Sequence, residues 1–189
     1  MRTRLLGFSV IAAALLLLAA CSVNVKKDNN GEDKNVDITT PFGGIHVNND
    51  ADARDTGLPV YPGARVKPKS GDHDQKSANV ELSAGDYGLR VVAVQYLTDD
   101  PPAKVIAYYQ GQLKKYGKVL QCQNSHGTHY SYSSDSDEIK CDGEDSSGKT
   151  TELKAGTKAN QRIVAVNPEG KGSDFALVYV HMRGKDDTI

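Results

Sequence analysis

Residues 99–117 read DDPPAKVIAYYQGQLKKYG and carry the strongest helix signal in the chain. Asp100 is the predicted N-cap, Pro101 suits the first helical position, and Gly117 suits the position after the last helical residue. Four apolar residues recur at steps of three and four and form one face of the predicted helix: Ile106, Tyr109, Leu113 and Tyr116.

Strand patterns flank this helix. Residues 88–98, GLRVVAVQYLT, are rich in β-branched residues and predict a central strand. Shorter strands are predicted after the helix at 119–123, 130–132, 138–141, 151–153, 162–166 and 175–182. One long helix followed by a run of strands predicts an α+β fold, in which an antiparallel sheet carries the helix on one face. In this prediction the domain follows a signal peptide and a flexible tether.

The N-terminus has the layout of a secretory signal. Arg2 and Arg4 precede an apolar segment, residues 5–20, which is shorter than the roughly 20 residues of a membrane-spanning helix. Its end, LAAC at residues 18–21, resembles the lipobox of bacterial prolipoproteins. The resemblance implies removal of residues 1–20 and acylation of Cys21, including palmitate-type chains, so that Cys21 anchors the protein to a membrane. Ser22 favours the outer membrane of the cell envelope. The alternative is an ordinary secretory signal with an incidental cysteine.

The predicted organisation has four parts. Residues 21–57 are rich in Asn, Asp, Lys and Gly, which predicts a lipidated N-terminus and tether, with a small β-ribbon as the alternative. The formal net charge of the chain is −1, so the sequence lacks the basic footprint of a nucleic-acid-binding protein. The four parts are the signal peptide at 1–20, the tether at 21–57, a globular α+β domain at 58–184 and a disordered tail at 185–189.

A second resemblance covers about a third of the globular part. YPGA at residues 61–64, followed by the pattern TxDxPxxVxxYYxxxLxxxG at 98–117, resembles a domain of uncharacterised bacterial envelope lipoproteins. Tyr108 and Tyr109 match the aromatic pair of that domain, whereas Lys118 stands where tryptophan is frequent. The resemblance implies the α+β fold and the envelope location, and it implies no catalytic residue.

The remaining cysteines form an even pair. With Cys21 acylated, Cys122 and Cys141 are left in a compartment where disulfides persist. We predict a structural disulfide between them, because neighbouring antiparallel strands bring Cα atoms within bridging distance. The alternative is two buried thiols.

Residues that suggest chemistry are few. SHGTHYSYSSDSD at 125–137 contains four weak candidates for metal ligands, namely His126, His129, Asp135 and Asp137. They lack the spacing of a structural zinc site, so we predict a polar loop, no metal and no cofactor. No catalytic motif occurs. The sequence therefore predicts a non-enzymatic binding or structural lipoprotein with an envelope protein or polysaccharide as partner. The alternatives are a metal or small-ligand carrier using loop 124–137, and an enzyme whose site is not visible in sequence.

Overall fold

The computed structural model describes residues 21–27, 33–68, 77–124, 137–141 and 149–184. The helices in these ranges are α1 (Ala53–Thr56) and α2 (Pro102–Leu113), and Lys114–Tyr116 extend α2 as a 3₁₀ turn. The strands are β1 (Ser22–Lys27), β2 (Asp33–Thr40), β3 (Gly43–Asn48), β4 (Arg65–Val66), β5 (Ser77–Ala84), β6 (Tyr87–Thr98), β7 (Leu120–Asn124), β8 (Thr150–Gly156), β9 (Asn160–Glu169) and β10 (Gly172–Arg183).

All ten strands belong to one antiparallel sheet. Nine of them lie side by side in the order β1-β2-β3-β5-β6-β10-β9-β8-β7, and β4 pairs with β6 beyond the end of β5. The two longest strands, β6 and β10, are neighbours and pair from Thr98 with Ser173 to Gly88 with Arg183. The predicted central strands at 88–98 and 175–182 therefore form the middle of the sheet.

The predicted fold class is wrong. The described chain is predominantly an antiparallel β-sheet, and its longer helix, α2, has only 12 residues. Residues 22–57, which the fold prediction left outside the sheet as a tether, contribute β1, β2, β3 and α1. The physical reason is that β3 pairs with β5 along its whole length. The β-ribbon is therefore part of a larger sheet, and the marginal stability of an isolated hairpin does not apply to it.

The strands predicted after the helix are confirmed only in part. The strands predicted at 119–123, 151–153 and 162–166 correspond to β7, β8 and β9, whereas residues 138–141 have no regular secondary structure. The predicted strand at 130–132, the signal peptide at 1–20 and the tail at 185–189 lie outside the described residues.

The main core lies between α2 and one side of the sheet, here called the helix side. Val105, Tyr109 and Leu113 of α2 are fully buried, and the helix packs over β8, β9 and β10. The sheet contributes Phe175 and Leu177, which are also fully buried. Ile106 is only partly buried, because the buried stripe of α2 runs through Val105, Tyr109 and Leu113.

The YPGA segment packs onto this core. The Tyr61 ring meets the Tyr108 ring edge-on at 5.2 Å between centroids, so the two parts of the second resemblance touch.

The predicted N-cap role of Asp100 is wrong, since Pro101 occupies that position and no side chain caps the helix. The Asp100 carboxylate instead accepts hydrogen bonds from Lys104 Nζ at 2.7 Å and from Tyr61 Oη at 2.9 Å. Both bonds stabilise the ionised form and lower the pKa of Asp100.

The opposite side of the sheet, here called the far side, carries a smaller buried cluster. Ile163, Val178 and Val180 are buried there. The predicted disulfide is confirmed: Cys122 in β7 is bonded to Cys141, and their Cα atoms are 5.5 Å apart. The bond holds residues 137–141 against the far side of β7.

The far side also carries a buried ion pair. Glu152 and Lys154 lie on β8, and their side chains are 0% and 3% exposed, with Lys154 Nζ 3.2 Å from Glu152 Oε2. Glu152 pairs with Cys122 across the sheet, so the disulfide lies beside its carboxylate. Neither carboxylate oxygen accepts a well-aligned hydrogen bond in the described structure. The alternation of charged and apolar residues in β8 is typical of a half-solvated strand, yet both of its sides are buried.

Candidate functional site

Five charged or titratable side chains form a row across the helix side of the sheet, beyond the area that α2 covers. Because the strands are paired in register, one residue from each of five neighbouring strands lies in this row. We call it the charged row; its members are Asp37 in β2, His46 in β3, Glu81 in β5, Arg90 in β6 and His181 in β10. Adjacent members are separated by about one strand spacing, roughly 4.8 Å.

The row is organised as two pairs and one further histidine. His46 Nδ1 contacts Asp37 Oδ1, and this contact is an ion pair when the imidazole is protonated. Arg90 Nε lies 3.2 Å from Glu81 Oε1, without the alignment of a good hydrogen bond. The His181 ring stacks on Tyr179 with 6.2 Å between centroids. Each carboxylate of the row therefore already faces a cationic or potentially cationic partner.

A row of small residues lies next to the charged row, nearer the end of the sheet. Its members, in register, are Thr39, Gly44, Ser83 and Gly88, with Arg183 at the far end. Gly44 and Gly88 have no side chains, so the surface is hollow between Thr39 and Arg183. The resulting open cavity of about 320 Å³ is lined by both rows. The Arg183 side chain lies beside Gly88, where a Cβ atom would be 3.6 Å away in ordinary van der Waals contact.

The group of the cavity best suited to an anion is Arg183. The Glu81 carboxylate is matched by Arg90, whereas the Asp37 carboxylate is matched by His46 only when that imidazole is protonated. Arg183 is exposed, and no carboxylate of the described residues lies within ion-pair distance of its guanidinium. A guanidinium offers planar, bidentate donors that suit carboxylate and phosphate groups. Among the described residues, the cavity therefore presents one guanidinium without an ion pair, together with the hydroxyl groups of Thr39 and Ser83.

The third row along the same side is made of amides. Asn35, Asn48 and Asn79 lie opposite one another in β2, β3 and β5. The side-chain oxygens of Asn35 and Asn79 are buried without a hydrogen-bond donor among the described residues. Buried polar atoms of this kind are usually satisfied by ordered water. Three successive rows on this side are therefore polar over β2, β3 and β5.

The metal candidates are not brought into this site. His126, His129 and Asp135 lie outside the described residues. Asp137 is exposed, and its backbone oxygen accepts a hydrogen bond from the Lys158 N–H at 3.0 Å. Over the described ranges no cluster of three or more His, Cys, Asp or Glu side chains has the geometry to hold a metal ion.

The sequence interpretation missed the charged row. Asp37 and His46 lie in residues 21–57, which are predicted as a tether, and His181 lies in the predicted strand at 175–182, so the sequence does not indicate that they share a site. The sequence does contain a signal, which is a single polar residue between two apolar residues, as in Val36-Asp37-Ile38 and Ile45-His46-Val47. Alternation shows that a residue faces the polar side, but it does not give the register between strands.

Cys21 lies close to the cavity. It is exposed and directly precedes β1, where Ser22 pairs with Thr39 of the small-residue row. In the described parts of the chain, no helix is long and apolar enough to span a bilayer. Comparison with protein-family models, characterised proteins and solved structures found no match to this chain.

Proposed function

We propose that this protein is a lipoprotein of a bacterial envelope, anchored through Cys21, and that it acts as a non-enzymatic binding module for an anionic group. The lipobox at residues 18–21 supports the anchor. The observation that carries the binding role is the exposed Arg183 guanidinium, which has no ion pair among the described residues and lies in the same cavity as the Arg90–Glu81 pair and the His46–Asp37 contact. Carboxylate or phosphate groups of an envelope polymer have the matching chemistry.

The geometry favours binding over catalysis. A hydrolytic site would need a nucleophile activated by a hydrogen-bonded base. The Asp37–His46 contact supplies an oriented imidazole, and Ser83 is the hydroxyl on the next strand. However, Ser83 Oγ accepts the Gly44 N–H at 3.0 Å, and no hydrogen bond joins it to His46 in the described structure. Ser83 therefore lines the cavity and has no base positioned to activate it among the described residues.

The anchor is tested by replacing Cys21. In the full chain produced in bacterial cells, Cys21→Ser should abolish acylation and shift the protein from the membrane to the soluble fraction, because the acyl chains provide the membrane affinity. Mass spectrometry of the N-terminal peptide and cell fractionation measure both effects. Ser22→Ala is the control and should keep the parent mass shift and location. A Cys21→Ser protein that is processed after residue 20 and stays membrane-bound like the parent contradicts the proposed anchor.

The binding role is tested at Arg183. Arg183→Gln should weaken binding of inorganic phosphate and of oligogalacturonate by about tenfold or more, because a charge-assisted hydrogen-bond pair is lost. The measurement is isothermal titration of the full chain in detergent. The control is Arg65→Gln, which removes an exposed arginine that already pairs with Asp99 at 3.2 Å and lies outside the cavity. Equal affinities for the parent, Arg183→Gln and Arg65→Gln proteins would exclude the cavity as an anion site.

A further inference from the structure

The far side of the same strands is apolar. The residues that alternate with the charged and small-residue rows form two further rows across six strands, and all twelve are aliphatic. The row nearest the end of the sheet consists of Val23, Ile38, Ile45, Leu82, Leu89 and Met182. The next row consists of six valines, from Val25 in β1 to Val180 in β10. We call these two rows the apolar face.

The apolar face is open where it approaches Cys21. Val23 is 66% exposed and Val25 42% exposed in β1, and exposure falls to 37% at Leu82 in β5. At Val180 in β10 the exposed fraction is only 4%. Four of the twelve side chains are exposed, seven are half-buried and Val180 is buried. A patch of neighbouring exposed apolar side chains marks a contact surface.

Two exposed aromatic side chains lie at the same end of the sheet. Phe42, in the turn between β2 and β3, is 79% exposed, and Tyr87, at the start of β6, is 60% exposed. The Gly85 N–H donates to the Phe42 carbonyl at 3.1 Å, which joins the two turns. Gly43 permits this close packing, since a Cβ atom there would lie 1.9 Å from the Ser83 carbonyl oxygen. The aromatic residues are thus held on a fixed part of the fold.

The position of Cys21 relative to these residues is also fixed. Cys21 precedes β1 directly, so no spacer separates the acylation site from the sheet. At about 3.3 Å per strand residue, Val23 lies roughly 7 Å along the strand from Cys21. Apolar side chains at a membrane surface insert about 5–10 Å into the boundary between headgroups and acyl chains. Acyl chains on Cys21 would therefore bring Val23 and the neighbouring β2–β3 turn within reach of that layer.

We infer that the apolar face, with Phe42 and Tyr87, docks on the surface of the bilayer that holds the acylated Cys21. This inference rests on the proposed anchor. It places the sheet with its aliphatic rows towards the lipid and its charged row towards the aqueous side. The two rows contain no charged residue, which suits the apolar boundary of a bilayer.

A second copy of the chain fits this surface less well. Six strands at about 4.8 Å and two rows of side chains give an area of about 400 Å². A stable interface buries about 800 Å² on each partner. The apolar face alone is too small for a lasting dimer, whereas the acyl chains on Cys21 supply the additional affinity that a bilayer contact needs.

The test measures the depth of single positions in the full-length protein. Phe42→Cys and Val66→Cys are each labelled with an environment-sensitive fluorophore and reconstituted in vesicles of phosphatidylcholine and phosphatidylglycerol that carry a lipid-attached quencher. Val66 is the matched control, because it is 54% exposed in β4 at the other end of β6. Acylation of Cys21 and the Cys122–Cys141 bond leave the introduced thiol as the reactive one. Quenching should be several-fold stronger at position 42 than at position 66.

The outcomes separate the anchor from the docking. If Cys21 is acylated and both positions are quenched equally weakly, the docking is wrong and the anchor stands. If Cys21 is not acylated, the same labels are placed in the Cys21→Ser background and mixed with the vesicles. Selective quenching at position 42 then supports the docking without the anchor, and its absence overturns both. A label at position 42 that is shielded without vesicles, in a protein that sediments as a dimer, assigns the face to a second copy and also overturns the docking.

Discussion

Lys154→Met is expected to lower the free energy of unfolding by about 3–5 kcal/mol, because it leaves the Glu152 carboxylate buried without its cation. The Glu152 side chain is fully buried, and neither of its oxygens accepts a well-aligned hydrogen bond in the described structure. Removing one partner of such a pair costs more than removing both, since a lone buried charge keeps its full desolvation penalty. Urea unfolding followed by circular dichroism, with the disulfide intact, measures the loss.

Two comparisons make this expectation specific. The double variant Glu152→Leu/Lys154→Met should be within about 1 kcal/mol of the parent or more stable, because both charges are replaced by apolar groups of similar size. Arg65→Met is the matched control, since Arg65 pairs with Asp99 at the same 3.2 Å distance but the two side chains are 58% and 91% exposed. Its effect should stay below about 1 kcal/mol. A Lys154→Met protein as stable as the Arg65→Met protein would mean that solvent reaches Glu152.

Phe175→Ala is expected to lower the free energy of unfolding by about 3–5 kcal/mol, the usual range for a fully buried phenylalanine. Phe175 lies in the main core, where the central strands, α2 and the YPGA segment meet. Its ring stacks on Tyr96 at 5.6 Å between centroids, tilts against Tyr109 of α2 at 5.7 Å, and meets Tyr61 edge-on at 6.3 Å. Its removal leaves a cavity between the central strands, the helix and the YPGA segment.

The measurement is again urea unfolding, monitored by tyrosine fluorescence and circular dichroism. Phe42→Ala provides the control, because it deletes the same side chain from a position that is 79% exposed. In detergent-free solution its effect should lie within about 0.5 kcal/mol of the parent. A loss below about 1 kcal/mol for Phe175→Ala would show that the three tyrosine rings collapse into the space and that the aromatic cluster is not tightly packed.

The sequence predicts the local elements of this fold better than their assembly. The spacing of Tyr109 and Leu113 identifies α2, and the apolar runs at 88–98 and 175–182 identify the two central strands. The disulfide is predicted from the number of cysteines and from the predicted compartment. The fold class fails because residues 22–57 were judged as an isolated ribbon, whereas the pairing of Gly43 with Ala84 joins them to the main sheet. That pairing links segments about forty residues apart, which local patterns do not report.

The candidate site is harder to predict for the same reason. The charged row takes one residue from each of five strands, and Arg90 meets His181 only because β10 lies beside β6. Each residue alone looks like an ordinary polar position in an alternating strand. The ion pair in β8 shows the converse, since alternation there predicts a solvated side, whereas Glu152 and Lys154 are buried.

The central position of β10 has a consequence for folding. This strand is the last in the described chain, yet it fills the gap between β6 and β9 and pairs with both along most of its length. The sheet therefore consists of two separate halves until the strand arrives, and Gly88 must find Arg183 across nearly half of the chain. Such non-local pairing raises contact order, and β-rich domains of this kind fold in about milliseconds to seconds. A chain in which β10 has not yet paired has no completed core, so closure of the sheet waits for residues 172–183.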